Sequence, residues 1–495
     1  MSVEFKSKKQ TKTVVIDSMR NEFIGREVEL QVLRRNFKKG SSSLFVFTGR
    51  RRIGKSTLVE HYSQQFTHFY EFQGLHPKEA PSAELQLKHF SNRLKIYFQR
   101  PEMVFASWLE AFAELSRSLP KSGKILIFLD EISWMGTGSK TFSAELKDAW
   151  DTLLKKHSNL VLAIAGSVSS WIQDNILNHS NFLGRVDLQM HLQELSMTTF
   201  KSFWGTRHNM VSSYDVLKVA SICGGVPKYL ESINPNQSPE ENINRLCFSR
   251  TGYMVYEFEK IFSDIFTRRG PIYKKIVLAL IESPQTLSEV AKKLKINKSG
   301  ALSEYLSDLV RSGFLSEDQV YNIDGTVTKM VKYRVKDNYL RFALKYILPN
   351  LKRIESDIFK FSSMDQLPGW KTILGLQFEN LILNNRDLII DKLEIPKEHI
   401  VTCSPYYQSK TTKNKGGCQI DLMITTSNFQ IYVCEIKISK KICAEVVTEM
   451  QSKLKVLKRP RYYTVHPVLI YVGELTAPVV EGDYFQLISL DDIFS

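Results

Sequence analysis

Three short apolar runs stand out along the chain: "LFVFT" (44–48), "KILIFLDEISWM" (124–135) and "NLVLAIAGS" (159–167). Unbroken apolar runs of this length read as buried strands, and "STLVEHYSQQF" after the first reads as a helix with Leu58 and Val59 inside. The pattern therefore predicts a parallel α/β sheet at the N-terminal end. Further on, "PIYKKIVLALIESPQ" (271–285) places Ile276, Leu278, Ala279 and Leu280 on a helix that stops at Pro284. A second helix starts at Thr286, three residues before Glu289, which is capping-box spacing. In "NKSGALSEYLSDLVRSGFL" (297–315), Leu302, Leu306, Leu309 and Val310 recur at i, i+4, i+7 and i+8 and give a third helix. "VYNIDGTVTKMVKYRV" (320–335) reads as a hairpin turning at Asp324-Gly325. Near the C-terminus, two more strands are expected within "CQIDLMITTSNFQIYVCEIKIS" (418–439), joined by "TSN".

The first apolar run ends in "GRRRIGKST", where Gly49, Gly54, Lys55 and Ser56 match G-x-x-x-x-G-K-[ST] between a strand and a helix. Glycines let the backbone curl so that successive N–H groups face phosphates, and the following helix N-terminus adds its dipole. At average residue usage only about 0.02 such matches arise by chance in a chain of this length. Gly49, Arg50, Arg51, Arg52, Ile53, Gly54, Lys55, Ser56 and Thr57 are thus the candidate nucleotide-binding positions, with Lys55 reaching the β- and γ-phosphates and Ser56 ligating Mg²⁺. The second apolar run delivers Asp130 to hold that metal through water and Glu131 to polarise an attacking water, the arrangement of an ATP hydrolase. Ser167, at the end of the third run, is a candidate γ-phosphate sensor. Arg185 in "NFLGRVDLQMHL" is a candidate arginine finger, in cis or in trans, with a surface arginine as the alternative.

Three helices followed by a hairpin make a winged helix-turn-helix. Lys295, Asn297, Lys298 and Ser299 sit where a recognition helix begins, and Lys329, Lys332 and Arg334 load the wing. DNA contact and packing between domains are the two uses open to it. In the last strand pair, Glu435 and Lys437 share one face because strand side chains alternate, and a hairpin pairing brings Asp421 beside Glu435. Two carboxylates at one sheet edge can bind Mg²⁺, and a neighbouring lysine can orient the attacking water and steady developing phosphorane charge. E-x-K by itself is cheap, since it recurs at Glu4–Lys6 and Glu145–Lys147, so the apolar strand setting carries the weight. The loop "SKTTKNKGG" (409–417) adds positive charge where a phosphate backbone would approach.

With 495 residues, the chain is long enough for about three or four domains. A net charge of +15 favours a polyanionic partner, nucleic acid first, against the alternative of solvated surface lysines. No apolar run reaches the ~20 residues of a membrane span, and the N-terminus lacks the apolar region of a secretory signal. The six cysteines are scattered and form no CxxC, and the ten histidines show no metal-ligand spacing. A reduced, cytoplasmic protein is the expectation.

Several segments occur in an order that resembles the archaeal-type ATPase family, in the STAND-like branch of the AAA+ P-loop ATPases: "FIGREVELQVL" (23–33), "GRRRIGKST", "LDEISW", "AGS", "LGR" and "GGVPKYL" (224–230). The resemblance covers at least residues 21–260. It implies an adenine-side linker over Phe23–Leu30, a lid opened by the GG-x-P segment, and Gly25, Arg26, Glu27, Gly224, Gly225 and Pro227 near the nucleotide. "YRVKDNYLRFALKYILPN" (333–350) resembles the opening of the C-terminal domain often fused to this family. The Asp421, Glu435, Lys437 set is similar to that of PD-(D/E)xK nucleases, with Glu379 resembling their upstream helix acid and Ile420 standing where proline is common. The expected organisation is a basic arm (1–20), a P-loop AAA+-type parallel-sheet core (21–205), a helical lid (206–266), a winged helix-turn-helix (267–348) and a small α/β PD-(D/E)xK nuclease-like domain (349–495). ATP and Mg²⁺ are the expected cofactors. The Mg²⁺ ligands are Ser56 and Asp130 at one site, and Asp421 and Glu435 at the other. DNA is the expected partner and a homo-oligomer is admitted. Two readings follow: an ATP-driven or ATP-gated DNase, or a nucleotide-switched DNA-binding or scaffold ATPase whose C-terminal domain is inert. A signalling ATPase that contacts protein rather than DNA is a third.

Overall fold

The computed structural model describes residues 23–38, 40–166, 169–178, 182–265, 270–408 and 417–495. The basic arm, Ser167 and positions 409–416 of the basic loop lie outside the described residues.

The N-terminal body is a five-stranded parallel sheet. Its strands are β1 (Ser43–Thr48), β2 (His68–Gln73), β3 (Ile125–Asp130), β4 (Leu160–Ala165) and β5 (Leu188–His191), in the order β2-β3-β4-β1-β5. Burial on both faces explains the unbroken apolar runs. Leu44 and Val46 point into one core, with Trp108, Phe112 and Trp150; Phe45 and Phe47 point into the other, with Leu33, Leu58 and Tyr62.

Short helices follow (Ser213–Cys223, Pro227–Leu230, Pro239–Cys247 and Glu257–Ile265) and lead into the helix-turn-helix. Its helices are Gly270–Leu280, Leu287–Leu294 and Gly300–Arg311, and its wing is the antiparallel pair β6 (Leu315–Tyr321) and β7 (Val327–Val335). The capping box at Thr286 and Glu289 forms as the sequence predicts. A second five-stranded sheet closes the chain: β8 (Ile400–Gln408), β9 (Cys418–Thr426), β10 (Gln430–Ile442), β11 (Thr464–Leu475) and β12 (Gln486–Ser489), ordered β12-β11-β10-β9-β8. β8, β9 and β10 run antiparallel, while β10, β11 and β12 run parallel. The crossover helix Glu445–Val456 links β10 to β11, and the helix Trp370–Asn384 packs on β10.

One apolar core runs unbroken from Leu195 through these short helices, the winged helix and the second sheet to Phe494. The wing takes part in this joining. Ile323, in the turn between β6 and β7, is buried among Tyr406, Ile420, Met423 and Tyr463 of the C-terminal domain. The wing is therefore docked on β8 and β9. Two of its three expected nucleic-acid cations are used inside the protein. Arg334 is buried, donates to Asp318 at 2.7 Å, and also bonds Asn380. The Lys332 ammonium lies 4.6 Å from the Tyr407 ring centre. Lys329 stays exposed. Arg334 and Lys332 are taken up by the helix Trp370–Asn384 and the partner sheet, which no local pattern announces.

Candidate functional site

At the end of β1 the backbone turns through Gly49 (φ 138°), Arg52 (φ 70°) and Gly54 (φ 85°), and Gly54 caps the helix Lys55–Ser63. Positive φ at Gly54 costs nothing for lack of a Cβ, and an added Cβ would sit 3.8 Å from Pro227. Lys55 is buried and donates to the carbonyls of Gly49 (3.0 Å) and Arg50 (3.1 Å). Burial lowers its pKa, with Glu131 and Asp130 pulling the other way. The Ser56 hydroxyl donates to Asp130 Oδ2 at 2.7 Å, and the Glu131 amide donates to Oδ1 at 2.9 Å. Burial, then the charge of Glu131, raises the Asp130 pKa. A hydroxyl and a carboxylate already side by side are hard oxygen donors, and they fit Mg²⁺, which binds through one or two such groups plus phosphate and water. Glu131 itself is held in left-handed backbone (φ 48°) at the head of a short helix, Ile132–Met135.

Two of the loop's arginines, Arg50 and Arg52, are held by acids outside the cradle. Arg50 is buried, donating to Asp337 at 2.5 Å and to Glu194 at 3.0 Å, with its guanidinium over the Phe314 ring. Burial opposes its charge, yet Asp337 and then Glu194 outweigh that and raise its pKa. Arg52 forks onto Glu257, the first residue of the helix Glu257–Ile265, at 2.9 and 3.2 Å. Arg26 donates to the carbonyls of Ile53 (3.1 Å) and Gln193 (2.6 Å), so the Gly25-Arg26 segment grips the loop from behind. Gly225 must be glycine, because a Cβ there would lie 2.3 Å from the Leu195 carbonyl. His191, at the end of β5, shares a 3.0 Å hydrogen bond with Thr48, and burial lowers its pKa.

Arg185 is elsewhere. It precedes β5, whose first residue pairs with Phe45 near the start of β1, at the opposite end of the sheet from the loop. There it pairs with Asp151 at 2.8 Å. The cis arginine-finger role is therefore corrected: within one copy Arg185 does not reach the loop.

The structure brings Asp421, Glu435 and Lys437 of the second constellation together. β9 and β10 pair through Cys434↔Leu422, which sets Asp421 beside Glu435, and Asp421 Oδ2 accepts from the Ile436 amide at 2.9 Å. Glu435 is 1% exposed, so its charge depends on neighbours. Lys453 donates to its Oε1 at 2.5 Å, and the Lys437 ammonium lies 3.5 Å from Oε2, which accepts no hydrogen bond among the described residues. Glu449 bridges both lysines, at 3.0 Å to Lys437 and 3.2 Å to Lys453. These five residues line an open cleft of about 560 Å³. Glu379, on the helix Trp370–Asn384, is pushed up to about 7 by burial and then by Asp421. Glu435 is pushed up to about 7 by the same two causes in the same order, and burial raises Asp421. Among the described residues no group of three or more His, Cys, Asp or Glu is placed to hold a metal. Asp421 and Glu435 form a two-carboxylate pair, and the orphaned Oε2 is the acceptor that a small cation would satisfy.

Residues 23–233 match a family described as an ATPase domain predominantly from Archaea. The N-terminal body is an archaeal-type P-loop ATPase domain. Residues 271–317 match the bacterial regulatory protein, arsR family, a helix-turn-helix group. An uncharacterized protein of Methanocaldococcus jannaschii, MJECL04, is 26% identical over 366 residues, spanning 72% of this chain and 76% of its own. The Walker-type ATPase PABY2304 of Pyrococcus abyssi shares the fold at a TM-score of 0.50, with 18% identity, over 65% of this chain and 96% of its own. The Aeropyrum pernix ORC2 protein, solved with ADPNP and ADP, superposes more loosely, at a TM-score of 0.41 with 14% identity, over 68% of this chain and 96% of its own. Among the described residues no helix is long and apolar enough to cross a membrane.

Beyond the archaeal-type ATPase domain, Lys453 and Glu449 went unread in the sequence. Spaced i, i+4 on a helix, they look like an ordinary surface pair. The available signal was position: a helix connecting two parallel strands must pack on the sheet that carries the acids. The raised carboxyls set a pH dependence. Their folded-state pKa of about 7 lies above the ordinary carboxylate value, so their contribution to stability is full at low pH and is lost as pH rises through 7. Mg²⁺ relieves the resulting repulsion without displacing a proton only above that range. Millimolar Mg²⁺ should therefore raise the melting temperature of this domain more at pH 8 than at pH 6, read by differential scanning calorimetry with Asp421→Ala as the insensitive control.

Proposed function

We propose that the protein hydrolyses ATP at the 49–57 loop to drive or gate a conformational change on DNA, and that the acidic cleft is a phosphodiesterase site. The convergence of Asp421, Glu435 and Lys437 on one cleft beside a buried carboxylate oxygen that accepts no hydrogen bond among the described residues, with Glu379 near enough to feel the charge of Asp421, carries the cleavage reading. In it, Asp421 and Glu435 hold Mg²⁺, which when bound would supply a Lewis acid for the scissile phosphate. Lys437 orients the attacking water and offsets developing charge, and Glu379 holds a proton near the acids. At the loop, Ser56 and Asp130 hold the nucleotide's Mg²⁺, and Glu131 polarises the attacking water. DNA contact falls to the last turn of the second helix and the turn that follows, where Lys292, Lys295, Asn297 and Lys298 are exposed, since the wing is docked.

Two experiments test this. Glu131→Gln should bind ATP with near wild-type affinity yet turn it over at least about tenfold more slowly; normal turnover would remove Glu131 as the base. Plasmid incubated with ATP and Mg²⁺ or Mn²⁺ should be nicked by the wild type and not by Asp421→Ala.

A second reading, a nucleotide-switched DNA-binding scaffold with an inert C-terminal domain, is favoured by one observation. Glu449 occupies both cleft lysines with salt bridges, leaving the cluster partly self-neutralised. Absence of nicking with either metal would establish it.

A further inference from the structure

The β9–β10 turn carries a feature the reactions above do not use. Phe429 sits there in left-handed backbone (φ 61°) and is 49% exposed. A bulky aromatic residue is an outlier in this conformation, which glycine or asparagine adopts at little cost. Half of the ring faces solvent, so packing uses only part of it.

Its neighbours are aromatic as well. The Phe429 ring meets Tyr462 at 5.1 Å and Tyr463 at 5.4 Å, both edge-on. Tyr463 is buried beneath, packed with the wing residue Ile323, and anchors the group. Tyr462 is 64% exposed. Around these rings the charge is one-sided. Lys455, Lys458, Arg459 and Arg461 fall within seven positions, all exposed, and no acidic residue occurs from 450 to 473. Asp324 of the wing turn faces the buried Tyr463. Arg459 also donates to the Tyr463 carbonyl at 2.7 Å, which fixes the backbone that presents Tyr462.

The position matters too. Val456, the last residue of the crossover helix, lines the acidic cleft, and the basic-aromatic segment follows directly. Along β10, Glu435 is six residues from Phe429, a span of about 20 Å at strand rise. A few extended nucleotides cover that distance.

We propose that Phe429 and Tyr462, framed by Lys455, Lys458 and Arg461, form a stacking platform for the unpaired bases of single-stranded nucleic acid at the approach to the acidic cleft. Exposed rings accept any base because every base has a π-face, and the flanking cations track the backbone. The inference deepens the proposed action on DNA and rests on it for the role of the cleft, but the platform itself is tested without cleavage.

The experiment is fluorescence anisotropy of the full chain in EDTA, with 15-nucleotide oligo-dT, the same length of oligo-rU, and a blunt duplex. Tyr462→Ala and Phe429→Gly should each weaken binding to a single strand by about tenfold, with the salt dependence unchanged because no cation is removed. The larger loss between the DNA and RNA arms identifies the preferred sugar. Tyr462→Phe should bind like the wild type. Phe429→Gly suits the backbone, so its melting temperature should be no lower than that of the wild type, which separates lost stacking from lost folding. Duplex binding should not change. Wild-type affinity of both ring variants for both single strands, or equal losses on duplex and single strands, overturns the proposal. If plasmid nicking is absent while ring-dependent binding stands, the cleavage reading alone has failed.

Discussion

Replacing Lys55 by alanine is expected to weaken nucleotide binding about a hundredfold or more, abolishing the heat of ATP titration at micromolar protein. The ammonium is buried, burial already lowers its pKa, and it is held by two carbonyls of its own loop. It is thus a positive charge kept at a desolvation cost in a cradle of backbone. No solvent is at hand to replace it when a polyphosphate arrives, so its removal leaves that charge uncompensated. Isothermal titration with ATP and Mg²⁺ reads the effect, and unfolding of the free protein checks that the loop survives. A variant that titrates like the wild type would remove the phosphate-binding role of the loop, and with it the motor.

The second large effect is on stability. Arg50→Ala should destabilise the chain by about 3–5 kcal/mol, because it leaves the buried carboxylates of Asp337 and Glu194 without their cation. Arg50 belongs to the ATPase loop, whereas Asp337 caps the helix that follows the wing, so the loss should also split thermal unfolding into two transitions. Pairing the substitution with Asp337→Asn should recover part of the loss, since one stranded charge is then gone. Retained stability with a hundredfold fall in ATP affinity would instead make Arg50 a phosphate ligand.

The strands around the loop were legible because burial on both faces leaves an unbroken apolar signature, as in 44–48 and 125–130. The helix-turn-helix was legible through its capping box and heptad-like leucines. Asp421 and Glu435 could be paired on paper because strand alternation and one short turn fix their register. What stayed hidden was long-range. Asp337 and Glu194 are 287 and 144 residues from Arg50, and nothing local distinguishes a phosphate-facing arginine from one that reaches across the molecule. The same holds for Arg334, which reads as a wing cation until Asp318 and Asn380 claim it. Of the roles open to Arg185, the one in cis falls away because a sequence gives no sense of which end of a sheet a residue occupies.

The seating of Ile323 among the side chains of the second sheet has a mechanical result. A reading head whose tip is sunk into its neighbour cannot swing alone. Wing and second sheet are thereby one mechanical piece, like the two jaws of a tool cast together. A cut between them would bare on both sides the apolar faces that the joint core now covers.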